Sequence, residues 1–208
     1  MSEYFVPAGS GEAEFVEKRS SFLGHVRFVE TEDAAREFIN EMKKKHYDAR
    51  HNCWCYIIRE GAVRYSDDGE PQGTAGLPML EVFKREGVEN VVCVVTRYFG
   101  GVLLGTGGLL RAYTKSAKDA LDAAGIAAVR RWVKLETACP YSLLERMKTE
   151  CLALNGAVEN IEYGADVRLT LLLPEEKAEE FQARVTELSA GQSSAKAVGE
   201  ELMPVRVR

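Results

Sequence analysis

Nowhere in its 208 residues does the chain carry the roughly 18 consecutive apolar residues that a membrane-spanning helix needs. Its opening, MSEYFVPAGSGEAEF, has neither the basic start nor the apolar centre of a secretory leader, so a cytoplasmic location without a membrane partner is expected. Positive charge is also short. Lys and Arg number 27 against 32 Asp and Glu, a formal net charge of −5, and the isoelectric point is near 5.4. That balance excludes a protein that coats nucleic acid by general basic attraction and confines any such contact to a local cluster of cations. Five cysteines (Cys53, Cys55, Cys93, Cys139 and Cys151) are an odd number at irregular spacing, which reads as reduced structural thiols rather than a disulfide framework. Cys53-x-Cys55 with His51 lacks the usual zinc-ligand spacing and a second ligand pair, so no metal or cofactor is expected. Histidine is scarce, with none after His51, and no low-complexity tract or internal repeat occurs.

What is present concentrates in Val91–Tyr113, VVCVVTRYFGGVLLGTGGLLRAY. Val91–Val95 is β-branched apart from Cys93, as expected of a strand buried on both faces. Gly100, Gly101, Gly105, Gly107 and Gly108 follow, and their lack of a Cβ permits left-handed backbone or the close approach of another group. From about Gly108, Leu109, Leu110, Tyr113, Ala117, Ala120 and Leu121 keep helical spacing, with Gly125 as the C-terminal cap. The helix N-terminus would face the loop. Its amides and dipole favour an anion, to which Arg97, Arg111 and Lys115 add charge-assisted hydrogen bonds. Phosphate or RNA backbone is the natural ligand. Neither G-x-x-x-x-G-K-[ST] nor G-x-G-x-x-G occurs, so an NTPase or dinucleotide-binding reading loses its support. The spacing alone is equally compatible with glycines that serve only a tight loop.

Two upstream segments add polar residues that ordinary surface does not explain: His46–Cys55, HYDARHNCWC, and Ser66–Leu80, SDDGEPQGTAGLPML. Asp67-Asp68-Gly69 suits a hairpin turn after the strand-like Ala62–Tyr65, but Glu70 to Gly76, including Thr74, are left over. HYDARHNCWCY, SDDGEPQGTAGLPML and TRYFGGVLLGTGGLLRAY, in that order, closely resemble the signature of the YigZ/Impact family, over roughly the first 125 residues. The resemblance implies an N-terminal domain like the second domain of ribosomal protein S5. It also implies a C-terminal domain like the last, ferredoxin-like domain of elongation factor G, and a link to translation. Eukaryotic relatives are associated with regulating the kinase response to amino-acid starvation through a partner-binding domain placed before this core. This chain begins almost at the core, so the resemblance does not carry that role over whole.

Pattern reading predicts an α+β fold in two domains, 1–130 and 131–208. The first has strands near Glu12–Lys18, Ser21–Val29, Asn52–Arg59 and Val91–Val95, with helices over Asp33–Lys45, Leu77–Arg85 and Gly108–Ala124 on one sheet face. The second restarts with a strand at Trp132, Val133, Leu135 and Thr137 and a helix over Tyr141–Leu154 capped by Gly156. Strands at Ala157–Tyr163 and Asp166–Leu173 follow, then a helix from Pro174 burying Phe181, Val185 and Leu188, and a return strand from Lys196. That βαββαβ order is ferredoxin-like. Trp132 and Tyr163 are expected in the core or at an interface.

Two functional classes fit. One is a binding protein for RNA, the ribosome or a translation factor, using Arg50, Arg97, Gly100, Gly101, Gly105, Gly107, Gly108, Arg111 and Lys115. The other is a metal-assisted hydrolase of a phosphorylated or peptide substrate, drawing on the acid–base types His46, His51, Asp67, Asp68 and Glu70 of a motif cluster that also holds Asn52 and Thr74, with no catalytic residue assigned. No HExxH, no G-x-S-x-G and no nucleophile with an identifiable base occurs, which favours binding over catalysis.

Overall fold

In a computed structural model, which describes residues 3–208, the chain forms two compact units. The first comprises residues 4–129 and 204–208, and the second residues 130–203 with Glu3.

The first unit is built on an antiparallel sheet in the order β2-β3-β6-β4-β5, from Gly11–Glu17 (β2), Ser20–Phe28 (β3), Val91–Tyr98 (β6), His51–Ile57 (β4) and Val63–Ser66 (β5). The central β6 explains the apolar run. Val91, Cys93 and Val95 face Gly76–Glu86 (α2) and Gly105–Ala124 (α3), whereas Val92 and Val94 face Glu32–Lys45 (α1). Helices therefore cover both sheet faces, not one as the element order suggests, and a central strand between two helical layers has no polar side. α1 starts where its cap says it should, with Thr31 Oγ1 accepting from the Ala34 N–H at 3.1 Å, and it buries Ala35, Phe38, Ile39 and Met42. α3 ends at Gly125 as expected. Tyr4–Pro7 (β1), which no periodicity announces, pairs with residues 126–129 of Ile126–Cys139 (β7).

Three details shape the rim of the sheet. Lys18 and Arg19, at φ 46° and 67°, form a two-residue hairpin between β2 and β3, a primed turn made without glycine. The Arg19 backbone lies so close to Gly100 that a Cβ there would overlap it, and the Gly100 N–H donates to Ser20 Oγ at 3.1 Å. α3 begins at Gly105, three residues before the expected start, and Leu110 of its expected apolar stripe is exposed.

In the second unit, Ala157–Tyr163 (β8), Val167–Pro174 (β9) and Lys196–Arg206 (β10) join β7 in the order β10-β7-β9-β8. With Leu144–Ala153 (α4) and Glu175–Leu188 (α5), this is the ferredoxin-like order. Its core holds Leu135, Met147, Leu169, Leu171, Leu173 and Phe181. Residues 141–143 form a 3₁₀ turn before α4. Asn155, at φ 59°, takes the left-handed position after α4 that is expected of Gly156; that glycine instead lets the chain pass the Cys151 and Leu172 carbonyls. Leu188 is only half-buried, and Tyr163 is exposed, stacked on Tyr141 at 6.3 Å, because β8 is an edge strand.

Candidate functional site

The three signature segments meet at one end of the five-stranded sheet in the first unit, where they enclose a cleft of about 460 Å³ lined by Arg50, His51, Glu70, Arg97, Phe99 and Thr106, among others. Strand alternation decides what enters it. His51, Cys53 and Cys55 of β4 point to the α2–α3 side, as does Arg97 of β6. Asn52, Thr96 and Tyr98 point to the other face.

Glu70 is the centre of the cleft. Its side chain is 3% exposed, and its Oε1 accepts from Arg97 Nη1 at 2.6 Å and from the Tyr113 hydroxyl at 2.9 Å. Glu70 Oε2 has no hydrogen-bond partner among the described residues. Burial, with Glu70 and Cys53 alongside, holds the Tyr113 hydroxyl far above the usual phenol range, so it acts only as a hydrogen-bond donor or acceptor. His51 Nδ1 lies 2.8 Å from the Asp68 carbonyl, which can only accept, so Nδ1 carries a proton; Nε2 lies 3.9 Å from Glu70 Oε1.

The two aspartates do structural work. Asp67 Oδ1 accepts from the Ala75 and Gly76 N–H groups at 3.1 and 2.8 Å, and its Oδ2 from the Gly73 N–H at 2.8 Å. It thus caps α2, whose own N-cap residue, Ala75, has no side chain able to do so. Asp68 accepts from Lys43 Nζ and the Asn52 N–H, both at 2.7 Å. Thr74 Oγ1 donates to the Pro71 carbonyl at 2.6 Å, closing the loop between them. Asp67 and Asp68 are not gathered with Glu70, and no group of three His, Cys, Asp or Glu side chains is placed to hold a metal among the described residues.

His46 lies on the opposite face from His51. It ends α1, its Nδ1 is 3.0 Å from the Tyr98 hydroxyl, and its carbonyl accepts from Asn52 Nδ2 at 3.4 Å. His25, which nothing in the sequence singles out, packs 5.5 Å from it, ring to ring. Burial lowers the pKa of both imidazoles, and His25 Nδ1 is 3.3 Å from Glu12 Oε1.

The cations sort by what they already hold. Arg97 is buried and committed to Glu70, while Lys43 and Lys115 pair with Asp68 and Asp119. Arg50 and Arg111 are exposed and have no carboxylate partner among the described residues; an Arg111 terminal nitrogen lies by Gly107. The first turn of α3 has no side-chain cap, and Gly105, Thr106 and Gly107 are exposed. Lys18 and Arg19 flank the loop through Gly100, a pair that the hairpin spacing marks as a turn but that only packing brings to the site. Phe99 and Leu103, 47% and 82% exposed, form an apolar lip.

The cysteines are all free and buried. Burial raises the Cys53 thiol well above its ordinary value and Cys151 to about 11, so neither is a ready nucleophile.

Fold and site together define a two-unit α+β protein whose three signature segments share one arginine-rimmed cleft. The Impact N-terminal domain matches residues 18–121, and a domain of unknown function, DUF1949, matches residues 137–192. The chain belongs to the IMPACT family. It is 38% identical to IMPACT family member YvyE of Bacillus subtilis, over 94% of this chain and 91% of the relative. It is 33% identical to IMPACT family member YigZ of Escherichia coli, over 96% and 100%. A solved crystal structure of a hypothetical protein, 32% identical, superposes with a TM-score of 0.60 over 96% of this chain and 98% of that one. No helix among the described residues is long and apolar enough to cross a membrane.

Proposed function

We propose that this is a translation-linked accessory or regulatory protein that binds RNA, free or on the ribosome, at the cleft beside the glycine-rich loop. The observation that carries this is the uncapped N-terminus of the 20-residue α3, open to the cleft and set beside two exposed arginines that no carboxylate neutralises among the described residues. Outward amides and a helix dipole stabilise an anion there, and arginine reads phosphate through paired N–H groups. The net charge of −5 agrees with a contact that is local rather than spread over the surface. The link to translation is supported by family membership and by the resemblance of the first unit to an S5-type domain.

The test is co-sedimentation with ribosomes and subunits, with anisotropy on single-stranded RNA, across a salt series for the native protein and Arg50→Gln/Arg111→Gln. Binding should weaken in the variant, and the salt slope should fall by about 0.7 for each phosphate that is no longer neutralised. Equal affinity and slope in the two proteins would reject this surface. Binding to a translation factor without any to RNA or ribosome would replace RNA by a protein partner.

A further inference from the structure

The cleft presents more than an anion site. On its inner wall are one hydrogen-bond acceptor without a donor among the described residues, Glu70 Oε2, on a side chain 97% buried, and the Nε2 edge of His51, whose other nitrogen is tied to the Asp68 carbonyl. Glu70 is held there by two donors on its other oxygen, Arg97 and Tyr113, which fix its orientation and support its charge. Oε2 is reached from the cleft, where a ligand's donor can take the place of water. On the outer wall stand donors, the α3 amides and Arg50, and above them an exposed aromatic ring, Phe99.

We propose that this arrangement selects ribose over deoxyribose: the 2′-hydroxyl of a nucleotide donates its one proton to Glu70 Oε2, against the His51 ring, while the adjoining phosphate sits at the N-terminus of α3 and its base packs on Phe99. The three parts of one ribonucleotide, a donor hydroxyl, an anion and a flat ring, match the three parts of the cleft. The 2′-hydroxyl is the group by which a protein tells RNA from DNA at a given position, and an aromatic face accepts any base. This deepens the RNA-binding reading and rests on it. Glu70 and His51 are binding residues here, and no bond is made or broken.

The experiment is fluorescence anisotropy with a short single-stranded RNA, the DNA of the same sequence and the fully 2′-O-methylated RNA, at one salt concentration. The native protein should bind the RNA about tenfold more tightly than either analogue, the factor that one net hydrogen bond carries. His51→Ala should bring RNA affinity down toward the DNA level. Glu70→Gln keeps the shape and an acceptor for Arg97 and Tyr113 but replaces the carboxylate acceptor by an amide donor that the 2′-hydroxyl can only accept from, and should narrow the preference; thermal melting of each variant checks its fold. Equal binding of all three probes by the native protein, with weaker binding in Arg50→Gln/Arg111→Gln, would overturn the 2′-hydroxyl role and leave the anion site standing. Failure to bind any probe would overturn both.

Discussion

Replacing Asp67 with alanine tests whether the acidic loop is architecture or chemistry. The carboxylate satisfies three N–H groups, two of them at the buried start of α2, which has no cap of its own. A lost side-chain cap costs about 1 kcal/mol, and each buried donor left unpaired costs about 1–3 kcal/mol. Because water enters an opened loop and satisfies part of the loss, the sum expected for Asp67→Ala is about 3 kcal/mol, or a melting temperature lower by about 9 °C in a chain of this size. Asp68→Ala should cost less, about 1–2 kcal/mol, since it frees one backbone N–H and a lysine that is 39% exposed. Urea unfolding followed by tryptophan fluorescence, with Trp54 two residues from Asn52 in β4, reports the difference as a midpoint shift at unchanged slope. A change below about 0.5 kcal/mol for Asp67→Ala, within the range of an ordinary surface substitution, would refute the capping role. So would stabilisation of the native protein by Mg²⁺ or Mn²⁺ that the variant loses, which would return the loop to a metal-assisted reaction.

Arg97→Ala should destabilise the first unit by about 3–5 kcal/mol by leaving Glu70 charged, buried and unpaired, and adding Glu70→Gln should recover much of that loss; additive costs in thermal melts would show that the two side chains do not depend on each other. Acid should weaken the fold through His25. Burial holds its pKa below the ordinary value near 6.5 despite Glu12, with Lys45 and His46 adding to the depression, so the unfolded chain takes up the proton first. Stability is therefore intact above about pH 6.5 and falls as pH drops below it. Urea midpoints between about pH 7.5 and 5 should decline less steeply in His25→Gln, and a native protein that gained stability on acidification would show the Glu12 ion pair to be dominant.

Much of this molecule is written in local pattern. The run Val91–Val95 announces a strand buried on both sides, Thr31 opens α1, Gly125 closes α3, and the βαββαβ order of the second unit follows from periodicity alone. These features depend on neighbours a few residues apart, so hydrophobic spacing and capping chemistry determine them. The polar clusters are different. Nothing in HYDARHNCWC says that His51 faces a cleft while His46, five residues earlier, lies against Tyr98 on the other side of the sheet. That separation follows from strand register. Nor does the sequence say that Arg97, which looks like a free cation at a strand end, is consumed by Glu70 across 27 residues, or that Asp67 reaches forward to cap a helix. Such pairings join segments distant in the chain, and only closure of the sheet and the packing of α2 and α3 upon it bring them within hydrogen-bond reach. The sequence by itself determined the elements and the segments that matter; the tertiary structure decided which charges remain free to meet a ligand, because a charge is free only when no partner has been folded against it.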